Sequence, residues 1–318
     1  MSTVYEDQIA VMIPCLNESR TIASVISDFR GVFPTARIYV FDNSSDDDTA
    51  KIAGEAGATV IHVAQRGKGA VVREMFRKIR SEVFIMVDGD DTYLAEDAPK
   101  LVDSLINKRL DMVVGDRLSS QAYDHQNKRR FHGFGNRLVL RLINLLYGAN
   151  CSDILSGYRV FSRRFVENCP ILVDGFEVET QLTIHAVDKK FLTEEIPIQY
   201  RDRPHGSVSK LSTFKDGIRI LKTIALLFKD YKPLQFFSLI GLIFFGFGIL
   251  AGSVPVMEYF RTGLVTRFPL AILAAALEIV AVLSVSCGLI LDTFARSARE
   301  QYELRVANFS RQGKVSEP

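Results

Sequence analysis

The chain has 318 residues and a formal net charge of only +2 at pH 7, so bulk charge does not point to a polyanionic partner such as nucleic acid. Its four cysteines are scattered without CxxC spacing, which excludes a recognisable zinc or disulfide framework and is typical of reduced thiols in a cytosol-facing protein. The stretch Met1 to Asp7 leads directly into a strand pattern, so a cleaved signal peptide is not expected.

Strand and helix patterns alternate through the first part of the chain. Helices of this length between apolar strands are typical of βαβ units and a parallel sheet. The predicted strands are Ile9–Pro14, Arg37–Phe41, Thr59–Val63, Val83–Val87 and Met112–Gly115, with helices from Asn17–Ser19 to about Arg30, from Thr49 to about Gly57, and over Lys68–Arg80.

Carboxylates follow three of these strands. The Val83–Val87 strand runs into Asp88, Asp90 and Asp91, Asp42 follows the second strand, and Asn17 and Glu18 follow the first. The carboxyl ends of parallel strands share one edge of a sheet, where ligands bind in open α/β folds. Oxygen ligands of this kind favour Mg²⁺ or Mn²⁺. The alternative is an Asp-Gly turn whose acids are solvated.

Other nucleotide-binding patterns are missing from the sequence. No GxGxxG follows the first strand and no GxxxxGK[ST] occurs, which argues against a dinucleotide oxidoreductase or a P-loop enzyme.

Two apolar stretches near the C-terminus are long enough to span a bilayer. They are Phe236–Val256 and Phe268–Leu291. Arginines and lysines are more frequent after the second stretch than between the two, so the positive-inside rule predicts that both termini face the cytoplasm. Glu278, near the middle of the second stretch, is expected to face another helix. Helix association of this kind also makes a homo-oligomer possible.

These features divide the chain into four parts. We expect a cytoplasmic domain at 1–211, an amphipathic helix at 212–232, two membrane spans within 233–292, and a cytoplasmic tail at 293–318. In the second part a basic side faces away from an apolar stripe, which predicts a helix lying in the lipid headgroup layer. The stripe consists of Phe214, Ile218, Leu221, Ala225 and Phe228.

Seven motifs follow one another along the first part of the chain. They are Ile13–Glu18, the Asp42 turn, Arg66–Gly69, Asp88–Asp90, Asp153–Arg159, Gly175–Glu179 and Ile196–Arg201 continuing through Gly206–Lys210. In this order they resemble the motifs of glycosyltransferase family 2. Within that family the chain is most similar to the polyprenyl-phosphate glycosyltransferases, relatives of dolichol-phosphate-mannose synthase, and above all to the bactoprenol (undecaprenyl) phosphate glucosyltransferase type.

The resemblance implies a GT-A domain, a mostly parallel Rossmann-like α/β sheet, that binds a nucleotide sugar. It implies a metal on the donor diphosphate, held by Asp88 and Asp90, with Asp90 also counted among the catalytic residues. The nucleotide-sugar-binding residues that it implies are Pro14, Asn17, Glu18, Asp42, Lys68, Asp88, Gly89, Arg201 and Lys210. Arg203 would add positive charge there as well, and the alternative for Arg203 and Lys210 is an ordinary solvated loop.

For the acceptor, the resemblance implies phosphate contacts from Arg117 and Arg130. A polyprenyl phosphate is largely dianionic at neutral pH and needs no strong general base. Asp153 and Glu179 match acidic positions of the family. Either could act as a base for a hydroxyl acceptor, or could orient the donor sugar and Arg159, and Asp153 is slightly favoured over Glu179 for such a role.

Two departures from the family pattern bear on the sugar. The second-strand turn reads Asp42-Asn43 where many relatives have two acids, and Asp91 follows the DxD where mannose synthases place a nearby Gln. Both favour UDP-glucose over GDP-mannose or another UDP-sugar. The chain contains no Trp, so the QxxRW motif of processive synthases cannot occur and a single transfer is expected.

The sequence thus predicts a metal-dependent hexosyltransferase that moves one glucose from UDP-glucose to a polyprenyl phosphate, with inversion, at the cytoplasmic membrane face. The alternatives are a nucleotidyltransferase, which would want a glycine-rich loop after the first strand, and a non-catalytic nucleotide-binding scaffold.

Overall fold

The computed structural model describes residues 8–118, 140–148, 151–201 and 213–315. The chain forms two compact units, Met1–Ile224 and Ala225–Pro318. The division falls within a helix that the sequence predicted as the juxtamembrane segment, so this helix contributes residues to both units.

The first unit is built on a mixed, mostly parallel sheet, as the sequence predicted. Its strands are β1 (Ile9–Cys15), β2 (Arg37–Asp42), β3 (Thr59–His62), β4 (Val83–Met86), β5 (Met112–Asp116), β6 (Arg159–Ser162) and β7 (Thr193–Pro197). Its helices are α1 (Ile22–Val32), α2 (Thr49–Glu55), α3 (Lys68–Lys78), α4 (Ala98–Asn107), α5 (140–147), α6 (Arg163–Asn168) and α7 (Val178–Asp188).

Strand order within the seven-stranded sheet is β3-β2-β1-β4-β6-β5-β7. Only β6 runs against its neighbours: it pairs antiparallel with β4 and β5, while the other neighbouring strands pair in parallel. Because of this reversal, β6 begins at the edge where the other strands end. The residues that precede β6 therefore lie beside those that follow β1, β2, β4, β5 and β7.

Side chains from both faces of the sheet are buried against helices. On one face Val11 and Ile13 of β1 pack into a cluster with Ile22 and Phe29 of α1. On the other face Phe161 of β6 contacts Phe76 of α3, with ring centroids 5.4 Å apart. Covering on both faces explains why the strands read as continuous apolar runs rather than alternating ones.

The first helix begins later than expected. Asn17 and Ser19 do not cap it: α1 starts at Ile22, after Thr21. Instead the Asn17 side-chain oxygen accepts a hydrogen bond from the Asp46 amide at 2.7 Å, and the Ser19 amide donates to the Asp47 carboxylate at 3.2 Å. The polar residues after β1 therefore join the turn after β2.

Helix α8 (Thr213–Tyr231) covers most of the segment 212–232 for which a helix was predicted, but its buried side differs from the predicted stripe. Ile218 and Leu221 are exposed, whereas Phe228 is buried. The other buried apolar residues of α8 are Ile220, Ile224 and Leu227. Apolar residues thus occupy two sides of this helix, of which one is buried and the other is exposed.

The second unit contains two long helices, α9 (Pro233–Thr262) and α10 (Phe268–Val315). Both are long and apolar enough to cross a membrane. Gly263 ends α9 in the left-handed conformation, with φ of 72°, and its amide donates to the Tyr259 carbonyl. The segment predicted as a tail from residue 293 continues α10 as far as Val315.

The two long helices pack closely where small residues meet. Buried small residues recur every seven positions on each: Gly241, Gly248 and Pro255 on α9, and Ala274 and Ala281 on α10. Glu278 faces Gly248, as expected of a carboxyl group that avoids lipid: a methyl group on Gly248 would lie 2.4 Å from Glu278 Oε1. The missing side chain at position 248 leaves room for Glu278 between the two helices.

We predict that Gly248→Leu destabilises the α9–α10 pair by about 1–3 kcal/mol, because the added side chain collides with Glu278. Gly246→Leu is the matched control, since no heavy atom lies within 4 Å of a methyl group at Gly246. The measurement is the unfolding transition of each full-length variant in detergent. Equal losses in both variants would contradict the prediction.

Candidate active site

A cleft of about 230 Å³ opens at the carboxyl edge of the sheet. Because Met12 of β1 pairs with Met86 of β4 and Cys15 pairs with Asp42 of β2, the segments after these three strands are neighbours. The lining residues include Pro14, Glu18, Asn43, Lys68, Asp88, Gly89, Asp90 and Phe176. The shared edge inferred from the strand ends is therefore present.

Lys68 joins two acids in this cleft. Its Nζ lies 2.6 Å from Asp88 Oδ1 and 2.6 Å from Glu179 Oε1. Only 11% of the Lys68 side chain is exposed, and burial alone would lower its pKa. The charges of Asp88 and Glu179 outweigh that effect and raise the pKa of Lys68, so the ammonium group is charged at neutral pH.

Two glycines let the start of α3 approach the segment before α7. A methyl group on Gly67, whose φ is 127°, would lie 2.0 Å from the Asp174 carbonyl oxygen, and one on Gly69 would lie 2.3 Å from that of Val173. The Gly69 amide donates to the Asp174 carbonyl at 2.9 Å. This approach brings Lys68, which lies between the glycines, within reach of Glu179 in the first turn of α7.

The three acids after β4 have different surroundings. Asp90 is buried, and its Oδ1 accepts a hydrogen bond from the Thr92 hydroxyl at 2.7 Å. Asp91 has φ of 60° and pairs with Arg201, whose guanidinium lies 2.6 Å from Asp91 Oδ1. Arg201 also lies 3.6 Å from Asp28. Asp88 and Asp90 line the cleft, while Asp91 holds the segment after β7.

Arg117 and Asp153 form one ion pair; Arg117 was predicted to bind the acceptor phosphate and Asp153 to be a catalytic residue. Arg117 Nε and a terminal nitrogen donate to the two oxygens of Asp153 at 2.7 and 2.9 Å. The Asp153 side chain is fully buried, and 13% of the Arg117 side chain is exposed. Burial works against the charge of Arg117, but Asp153 more than compensates and raises the pKa of Arg117 further above its usual range.

Aromatic rings cover this ion pair. The Arg117 guanidinium lies 5.6 Å from the centre of the Tyr200 ring, and Tyr200 contacts Tyr93 with centroids 5.4 Å apart. The Tyr93 hydroxyl accepts a hydrogen bond from the Gly157 amide at 3.0 Å. Sequence reasoning missed Tyr93, although its place three residues after the DxD at the end of β4 could have indicated it.

Arg159 organises the turn before β6 and is wholly buried. Its guanidinium donates to the carbonyls of Ile154 and Ser156 at 2.6 and 3.0 Å, and to the Thr183 hydroxyl at 3.0 Å. Burial lowers the pKa of Arg159 despite the nearby acids. This residue therefore positions the loop that carries Asp153.

Asp42 and Asn43 have separate tasks at the end of β2. Asp42 is buried; its Oδ2 lies 3.2 Å from His62 Nδ1, and its Oδ1 has no hydrogen-bond partner among the described residues. The side-chain nitrogen of Asn43 donates hydrogen bonds to the carbonyls of Val63 and Gln65, and its side-chain oxygen accepts one from the Gly67 backbone amide. A second acid at position 43 would lose both donated bonds.

The remaining predicted residues fall into three groups. Glu18 is buried beside the cleft and its amide donates to the Thr49 hydroxyl, whereas Asn17 is exposed and binds the turn after β2. Gly89 lies against β1, because a methyl group there would lie 2.6 Å from Cys15 Sγ. Arg130 and Lys210, with Arg203, lie outside the described residues.

No group of three or more His, Cys, Asp or Glu side chains with metal-binding geometry occurs in the described ranges. Asp88 and Asp90, the two predicted metal ligands, both line the cleft after β4. Two carboxylates suit an ion that takes its other ligands from substrate phosphates and water. The donor set therefore fits the predicted metal site.

Residues 10–169 match the model of glycosyl transferase family 2. The chain belongs to this family. Glycosyltransferase AglJ of Haloferax volcanii is 35% identical over 236 residues, 74% of this chain and 77% of that protein. A dolichyl-phosphate hexose transferase of the same organism is 32% identical over 69% of this chain and 92% of its own. The predicted family is confirmed, and these relatives are consistent with its polyprenyl-phosphate branch.

Solved structures share the fold. Glucosyl-3-phosphoglycerate synthase from Mycobacterium tuberculosis, crystallised with UDP, superposes with a TM-score of 0.57 at 22% identity, covering 68% of this chain and 78% of that one. Another crystal of that enzyme contains Mn²⁺, UDP and glucosyl-3-phosphoglycerate. The predicted GT-A-like fold of this family 2 glycosyltransferase is confirmed.

We predict that Asp153→Ala lowers the free energy of unfolding by about 3–5 kcal/mol, because it leaves the Arg117 charge buried without its partner. Adding Arg117→Met should recover part of that loss. Glu82→Ala is the matched control, because it breaks an ion pair with Arg163 in which both side chains are about half exposed, and it should cost under about 1 kcal/mol. Urea unfolding of the full-length protein in detergent tests this, and a cost for Asp153→Ala no larger than the control's would contradict it.

Proposed function

We propose that this glycosyltransferase transfers a single glucose from UDP-glucose to a polyprenyl phosphate, with inversion at the anomeric carbon, at the cytoplasmic face of a membrane. The observation that carries the proposal is the buried Arg117–Asp153 pair beside the donor cleft. Both Asp153 oxygens accept hydrogen bonds from Arg117. An acid held in this way positions a cation and is poorly placed to deprotonate a hydroxyl, which favours an acceptor that is already ionised.

The donor side of the proposal rests on the cleft between β1, β2 and β4. The Asp42 oxygen without a partner is suited to accept a hydrogen bond from a nucleobase N–H, which would satisfy a buried acceptor. Glu18, which lines the cleft, is suited to the ribose hydroxyls. Pro14 and Gly89 line the same cleft.

Asp88 and Asp90 would hold the divalent metal, Mg²⁺ or Mn²⁺, beside the donor diphosphate. When bound, this ion would neutralise the charge that develops on the leaving nucleotide. Lys68 supplies a further positive charge in the same cleft, and Glu179 fixes its position. Arg201 would act indirectly, because its guanidinium holds Asp91.

The proposed chemistry is a direct displacement. An oxygen of the acceptor phosphate forms a bond to the anomeric carbon while the bond from that carbon to the UDP oxygen breaks, and UDP leaves with the electron pair. The second pKa of a phosphate monoester is about 6, so the acceptor is mostly dianionic at neutral pH and needs no base to remove a proton from the attacking oxygen. Arg117 would orient it without removing a proton.

The lipid acceptor is supported by features outside the cleft. The two helices α9 and α10 are candidate membrane spans, and Ile218 and Leu221 of α8 leave an apolar side exposed. One relative, 92% of whose length this chain matches, is named a dolichyl-phosphate hexose transferase. An enzyme anchored in a membrane lies next to a lipid acceptor that is dissolved in the same bilayer.

We predict that the full-length protein, incubated with radiolabelled UDP-glucose, Mg²⁺ and undecaprenyl phosphate, transfers label to the lipid extract. Asp90→Ala should lower this transfer by at least about a hundredfold, because one of two proposed metal ligands is lost. Glu96→Ala, which removes an acid outside the cleft, is the control. Parallel reactions with GDP-mannose and UDP-galactose test the sugar. Nucleotide binding without transfer from any donor would refute the proposal.

Arg117→Lys tests the acceptor assignment while keeping a positive charge beside Asp153. We predict that the apparent KM for undecaprenyl phosphate rises about tenfold, because lysine lacks the planar fork that binds a carboxylate and a phosphate together. The KM for UDP-glucose should change less than twofold. Initial rates over a grid of both substrates provide the measurement, and equal changes in the two constants would argue against this role of Arg117.

A further inference from the structure

The Asp88 carboxylate is enclosed on both sides. One oxygen, Oδ1, contacts the Lys68 ammonium at 2.6 Å. Gly157 lies against the other, because a methyl group on Gly157 would be 2.4 Å from Asp88 Oδ2. Only 26% of the Asp88 side chain is exposed. A metal ion that binds Asp88 must therefore compete with the cation already there.

Lys68 has a second partner that the metal does not need. Glu179 Oε1 lies 2.6 Å from the same nitrogen, and the Glu179 side chain is 5% exposed. Glu179 stands at the start of α7, fixed by the close approach of Gly67 and Gly69 to the segment 173–175. The ammonium can therefore leave Asp88 and still keep one carboxylate.

We propose that Lys68 is an internal competitor of the divalent metal: it holds Asp88 in the nucleotide-free enzyme, and it is released toward Glu179 and the donor diphosphate when the metal binds. The inference rests on the proposed function, because it takes Asp88 as a metal ligand. The carboxylate of Asp90, the other proposed ligand, accepts a hydrogen bond from the Thr92 hydroxyl.

This exchange has a consequence for the order of binding. A metal that enters alone must displace Lys68 and leave it with Glu179 only. A metal that enters with a nucleotide diphosphate brings an anion that Lys68 can contact instead. Lys68 thus favours entry of the metal together with the nucleotide and disfavours a metal bound without substrate.

The test is the affinity of the nucleotide-free, full-length protein for Mn²⁺, followed by the electron paramagnetic resonance signal of the free ion. Lys68→Met should bind Mn²⁺ about tenfold more tightly, because the competing charge is gone. Glu179→Gln should bind it more weakly, because Lys68 is then left with Asp88 alone. Arg66→Gln, which removes a charge from the same loop, is the control and should change the Kd by less than about threefold, because its partner Asp46 is largely exposed.

A double variant separates competition from the general field of these charges. If Glu179 acts by holding Lys68, Glu179→Gln should weaken Mn²⁺ binding more when Lys68 is present than in the Lys68→Met background. Additive effects would overturn the inference. If Lys68→Met alone does not fold, the double variant, which removes opposite charges together, is compared directly with Glu179→Gln, and it should bind Mn²⁺ more tightly because Lys68 is absent; equal or weaker binding would overturn the inference.

The outcomes also distinguish this inference from the function on which it rests. Mn²⁺ binding that is unchanged or weaker in Lys68→Met overturns the competitor role and leaves the proposed metal site standing. An unmodified protein that binds no Mn²⁺, with or without UDP, overturns both. Asp88→Asn should abolish tight binding, and its failure to do so would remove Asp88 from the site.

Discussion

Carboxylates at the ends of buried strands need a neutralising partner, and this requirement shapes the whole catalytic edge of the sheet. Lys68 from α3 serves Asp88 and Glu179, Arg117 after β5 serves Asp153, and Arg201 after β7 serves Asp91. Each acid and its cation come from different segments. The site is therefore assembled by pairs that form only when the sheet is complete.

The reversed strand β6 decides which segments take part. If β6 ran parallel to its neighbours, the turn at 153–157 would lie at the opposite edge, away from Arg117. Instead Arg159 pairs with Met86 in the antiparallel register, and Gly157 comes to lie against Asp88. The proposed donor part, from β1, β2 and β4, and the proposed acceptor part, from β5 to β7, are joined along this one strand.

Much of the fold could be predicted from the sequence because strand ends are marked by abrupt changes of composition. The apolar run from Val83 stops at Asp88, and the structure places Glu18, Asp42 and Asp90 at the same edge. Pairing between charged residues could not be predicted in this way. Arg117 and Asp153 are far apart in sequence, and their contact depends on the direction of β6, which no local pattern reveals.

The helices show a second limit of local patterns. In α8 the predicted apolar stripe contained Ile218 and Leu221, which are exposed, while Ile220 and Ile224 are buried. Apolar residues on two sides of a helix leave the choice of buried side to tertiary packing. The start of α1 was misplaced for a related reason: Asn17 and Ser19 are good capping residues by type, but the turn after β2 competes for them.

The Arg117–Asp153 ion pair also joins the two ends of the segment between β5 and β6, because Arg117 follows β5 and Asp153 precedes β6. The pairing of β5 with β6 fixes the sheet on either side of this segment, and it does not depend on how many residues the segment contains. The entropic cost of closing a loop rises only slowly with the length of the loop. Insertions or deletions between Arg117 and Asp153 should therefore cost the fold little free energy.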